Sequence, residues 1–99
     1  MRAAIYQGIE KIAIEENPIP KTPQGGILLK ILGCAVCGSD VRTYFFGNSL
    51  ISPPWIIGHE TVGEIVENLS GNGMSIGQRV TVSSFLQKVA QLLQLKLHY

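Results

Sequence analysis

The chain has 99 residues, 45% of them apolar, which suffices for one small domain with a limited core and excludes a disordered chain. Eight basic and seven acidic side chains leave a formal charge of +1, so no strong field gathers nucleic acid or anionic lipid, and neither is an expected partner. No apolar run reaches the about 20 residues of a membrane span, and nothing near Met1 has the form of a signal peptide, so a soluble cytoplasmic protein is expected.

Residues 1–6 are an apolar run closed by Gln7 and Gly8, and residues 11–16 alternate as Lys-Ile-Ala-Ile-Glu-Glu, the pattern of a half-buried strand. Pro18, Pro20 and Pro23, followed by Gly25 and Gly26, then interrupt regular structure. Residues 27–32 are the clearest strand. The spacing predicts a short helix over residues 41–46, capped by Ser39 or Asp40 and ended by Gly47. Beyond Pro53 and Pro54 the chain extends through residues 55–57. Residues 61–67 form a strand, Ser70-Gly71-Asn72-Gly73 a turn, and residues 78–83 the last strand. Short strands between Gly- and Pro-rich turns predict a mostly β, barrel-like domain with one short helix.

From Ser84 onward the composition changes. Phe85, Leu86, Val89, Leu92, Leu93 and Leu97 recur at helical spacing, and residues 81–99 hold two lysines and no carboxylate. The expectation is a junction: a domain over residues 1–84, then an amphipathic, leucine-rich, helical tail over residues 85–99. Such a tail would dock on a partner or drive self-association.

Two places carry chemistry. Cys34 and Cys37 have the spacing of a redox or zinc-knuckle pair, but a four-cysteine zinc site needs a second pair and these are the only two cysteines. A thioredoxin-like pair needs a βαβ setting that this chain lacks. Cys34, inside an apolar run, is expected to be a small buried hydrophobe. Cys37, before Gly38-Ser39-Asp40, sits at a turn with polar neighbours. Gly58-His59-Glu60 is the second place. On spacing alone His59 is more often a structural histidine than a ligand. A thiol after one strand combined with an imidazole and a carboxylate before another is nevertheless a donor set that suits Zn²⁺. Tyr44, Phe45 and Trp55 are candidates for a substrate pocket, with at least two of them expected in the core.

Three stretches together resemble the medium-chain, zinc-dependent alcohol dehydrogenases: residues 33–40 (GCAVCGSD), residues 54–63 (PWIIGHETVG) and residues 76–80 (IGQRV). The Cys-Gly-Ser-Asp form is most similar to the sorbitol/polyol and threonine dehydrogenase branches, and the resemblance covers residues 1 to about 84. It implies a GroES-like β-barrel at the start of a catalytic domain. It implies further that Cys37 and His59 are ligands of a catalytic zinc, with Glu60 the carboxylate beside the metal. Asp40 would hydrogen-bond the ligating imidazole, and Ser39 would take the substrate's hydroxyl proton. The reaction implied is hydride transfer between a secondary alcohol or polyol and NAD or NADP.

Some residues depart from the family pattern. Arg42 stands where many relatives finish a proton relay with histidine, and Gly38 where some use a base for the cofactor pyrophosphate. Gly63 and Gly77 are expected to serve backbone geometry. The family's third zinc ligand and its nucleotide-binding domain would lie outside these residues, and no Gly-x-Gly-x-x-Gly occurs among them. The tail stands where a cysteine-rich structural-zinc lobe is expected. The 99 residues therefore read as an N-terminal fragment, inactive alone. The alternative is a non-catalytic β-barrel module that binds zinc weakly or docks a partner.

Overall fold

The computed structural model describes residues 1–82 and 96–98. Within them run β1 (Arg2–Gly8), β2 (Lys11–Glu16), β3 (Ile27–Ala35), α1 (Gly38–Phe46), β4 (Trp55–Ile56), β5 (Glu60–Asn68), β6 (Arg79–Thr81) and β7 (Lys96–His98). They form two sheets, one of order β2-β1-β4 and one of order β6-β5-β3-β7. This is the mostly β architecture with a single short helix that the strand-and-turn pattern predicts. No described helix is long and apolar enough to cross a membrane.

In the first sheet β1 is central, which is why it is almost wholly apolar. It pairs antiparallel with β2 from Arg2↔Glu16 to Gly8↔Lys11, and with β4 through Ile5↔Ile56 and Tyr6↔Trp55. Ala3, Ile5 and Tyr6 are buried. β2 forms the outer position and alternates weakly, leaving Ile12 and Ile14 exposed.

The second sheet holds the larger core, where Ile27, Leu29 and Ile65 pack with Ile31, Val80 and Val82 around them. β3 and β5 pair antiparallel from Ile27↔Asn68 to Ala35↔Glu60, with register shifts at Leu28/Leu29 and Ile31/Gly33. Gly63 is required here by crowding: a Cβ on it would lie 3.0 Å from both the Leu29 Cβ and the Lys30 carbonyl oxygen. Gly77 meets the other glycine need, a turn at φ +86°.

Four expectations are revised by the structure. β3 runs on to Ala35, three residues past the apolar run, because β5 offers partners as far as Glu60. Cys34 therefore sits near the open end of the ladder and is exposed, not a buried hydrophobe. Helix α1 begins earlier, with Cys37 as its N-cap and Gly47 as its C-cap; Ser39 and Asp40 lie inside its first turn. Of the tail expected as helix, Lys96–His98 form β7, which pairs parallel with β3 from Leu28↔Lys96 to Lys30↔His98. The edge of β3 offers unpaired backbone groups there, and pairing them outweighs helical periodicity. The rest of residues 85–99, and any self-association through it, lies outside the described residues.

Candidate metal centre

The register of β3 and β5 builds this site. Ala35, the last residue of β3, is paired with Glu60, the first residue of β5. Cys37 follows Ala35 by two residues and His59 precedes Glu60 by one, so the end of one strand delivers the thiol where the start of its neighbour delivers the imidazole and carboxylate. Gly58, at φ +111°, lets the chain turn between β4 and β5. One potential ligand atom each from Cys37, His59 and Glu60 lies within 4.8 Å of the others.

Asp40 ties this group together. Its Oδ2 accepts the backbone N–H of Cys37 at 2.9 Å, so a residue in the first turn of α1 satisfies a donor at the helix start. Its Oδ1 faces His59 Nδ1 at 3.5 Å. Asp40 is 13% exposed in its side chain and His59 30%, so both sit at the floor of the site while Glu60 lies at its exposed rim. A carboxylate only accepts, which favours the proton on His59 Nδ1 and leaves Nε2 free to donate electrons.

The donor set is one thiol sulfur, one imidazole nitrogen and one carboxylate oxygen, a mixture suited to zinc. Tetrahedral zinc with ligands at about 2.0–2.3 Å separates them by roughly 3.3–3.8 Å, so the observed spacing needs only a small side-chain closure. The residues present fit a zinc ion. Among the described residues they supply three ligands, which leaves coordination positions for further groups.

Beside the cluster opens a cleft of about 320 Å³ whose walls include Ser39, Asp40, His59, Asn48, Ile51 and Trp55. The structure thus brings all five candidate residues, Cys37, Ser39, Asp40, His59 and Glu60, into one region. Trp55 is 57% exposed on the cleft wall, and Phe45 is 49% exposed in a separate apolar groove with Tyr44, Val41 and Ile12. Neither Trp55 nor Phe45 is the core residue its aromatic character suggested. Asn48 carried no motif in the sequence; only its place just after the helix-ending Gly47 marked it as a loop residue.

Residues 23–96 match the alcohol dehydrogenase GroES-like domain. The chain belongs to that family. As a GroES-like alcohol dehydrogenase domain it is 35% identical over 86 residues to sorbitol dehydrogenase of Bacillus subtilis (strain 168), covering 83% of this chain and 24% of that protein. It is 37% identical over 75 residues to L-threonine 3-dehydrogenase of Pyrococcus horikoshii, covering 72% of this chain and 22% of that one. The crystal structure of 2R,3R-butanediol dehydrogenase from Bacillus subtilis superposes with a TM-score of 0.74 at 33% identity, over 81% of this chain and 26% of that one. The domain spans about a quarter of the length of these relatives. Its family match runs across the junction expected at residues 84 and 85 and reaches Lys96.

Proposed function

We propose that this domain carries the zinc-binding and proton-handling part of a dehydrogenase that moves hydride between a secondary alcohol or polyol and NAD or NADP. The observation that supports it most is the convergence of Cys37, His59 and Glu60 within 4.8 Å, with Asp40 reaching both of the first two residues. Cys37, His59 and Glu60 are the zinc ligands in this reading. Zinc, when bound, supplies a Lewis acid that lowers the pKa of an alcohol's hydroxyl group.

The residues of the chain do the rest. Asp40 holds the His59 ring by its Nδ1 side and the Cys37 backbone by its N–H, so both donors stay aimed at one point. Ser39, on the cleft wall beside His59, accepts the substrate's hydroxyl proton at its Oγ and releases its own proton outward. Arg42, one helical turn on, cannot receive that proton, because a guanidinium has no free base form at working pH. The proton therefore leaves to solvent along the exposed side of the helix start. Ile51 and Ile57 give the cleft the apolar wall that an alcohol's carbon chain requires. Neither Cys34 nor Cys37 is in a disulfide, which suits a reducing cytoplasm.

Titration with Co²⁺ tests the ligand assignment. The parent chain is expected to take up one equivalent with thiolate-to-metal absorption, and Cys37→Ser and His59→Ala are each expected to abolish that band. A Cys37→Ser chain that binds Co²⁺ with the parent's spectrum would overturn the reading.

A further inference from the structure

The cleft in front of His59 has a wall that the metal ligands do not supply. Asn48, on the loop after α1, and Trp55, at the start of β4, line the same cavity as Ser39 and His59. The Leu50 backbone N–H donates to Asn48 Oδ1 at 2.9 Å, and the Ile51 N–H donates to the Asn48 carbonyl at 3.0 Å. These bonds hold the side chain against its own turn. An amide has an acceptor end and a donor end. With Oδ1 committed to the turn, Nδ2 carries two N–H groups that donate to no partner among the described residues.

Trp55 adds an exposed indole to the same wall. An aromatic face covers C–H groups while an amide donor binds a hydroxyl oxygen, so together they match the two kinds of surface on a polyhydroxylated chain. The lining residues include no lysine or arginine, and the Asp40 oxygens are engaged by Cys37 and His59. A carboxylate or phosphate on the ligand would find no counter-charge on this wall.

We infer that Asn48 is a specificity-determining residue, selecting a neutral polyol: one hydroxyl sits at the Ser39 and His59 end, and a second accepts from Asn48 Nδ2. The inference rests on the reading of that end as the reacting end, but Asn48 acts without the metal. A neutral hydrogen bond of this kind is worth about 3- to 10-fold in affinity.

The test is an NMR titration of the full 99-residue chain, with and without Zn²⁺, using sorbitol and propan-2-ol as probes and reading the Ser39 and Asn48 amides and the Trp55 indole N–H. Sorbitol is expected to shift these signals at a concentration about 3- to 10-fold below propan-2-ol. Asn48→Asp keeps the acceptor for Leu50 and removes the donors, so the turn persists and the sorbitol preference is expected to vanish. Asn48→Ala is expected to lose it too, with Zn²⁺ uptake unchanged in both variants. Parent-like preference in Asn48→Asp, or no preference or no shift with sorbitol in the parent, overturns the inference. Loss of Zn²⁺ uptake by the parent overturns the ligand assignment instead, and the metal-free titration still reads Asn48.

Discussion

At the scale of single residues, Asp40 joins two chain segments. Its Oδ2 closes the first turn of α1 on the Cys37 N–H, and its Oδ1 faces His59 Nδ1 in the segment between β4 and β5. Asp40→Asn retains the size of the side chain but lowers its power to fix the ring's tautomer. Loss of such a partner typically weakens metal affinity by about 10–100-fold, which is the expected result. Competition with a chromophoric chelator measures it, and an unchanged affinity would show that Asp40 serves the helix alone. The sequence pointed to Asp40 as a helix cap or, by resemblance, as a partner of the imidazole. The structure joins both functions in one carboxylate, with Cys37 as the N-cap. Cysteine is not among the preferred N-cap residues, so nothing in local propensity marked that position.

At the scale of elements, the β3–β5 ladder decides where the site forms. Gly63 sits in its middle, where an added Cβ would press on the Leu29 Cβ and the Lys30 carbonyl oxygen at 3.0 Å. Both neighbours belong to a paired strand and cannot swing aside. Gly63→Ala is expected to cost about 1–3 kcal/mol by overpacking, read as a lower urea midpoint, and a parent-like midpoint would contradict the crowding. Ile65, fully buried between the strands, gives the opposite test: Ile65→Ala leaves a cavity and is expected to cost about 2–5 kcal/mol. The alternation of residues 11–16 marked β2 as a strand but misjudged its burial, since Ile12 and Ile14 are exposed. Apolar runs made β3 and β5 legible, because each has a stretch held against a core. They did not report how far β3 extends, since Gly33, Cys34 and Ala35 are set by pairing with β5 and not by burial. β7 was hidden for the same reason: three residues on a sheet edge carry no periodicity of their own, and Leu97 fitted a helical stripe equally well.

At the scale of the whole molecule, holding a metal and completing a hydride transfer are separate demands. In the proposed reading, the cluster of Cys37, His59 and Glu60 and the cleft beside it meet the first, using only the strand ends and the start of one helix. The second demands a nicotinamide held in contact with the substrate carbon. Nucleotide-binding sheets do this with a glycine-rich turn between a parallel strand and a helix. The 99 residues contain no Gly-x-Gly-x-x-Gly, and the domain spans about a quarter of its relatives' length. The purified chain, supplied with Zn²⁺, polyol and NAD⁺ or NADP⁺, is therefore expected to bind the metal yet produce no reduced cofactor above a protein-free blank. Absorbance of the reduced nicotinamide measures it. Turnover that disappears in the His59→Ala chain would mean that these residues assemble a cofactor site by a route the sheet order does not suggest, and would overturn the division of labour argued from the fold.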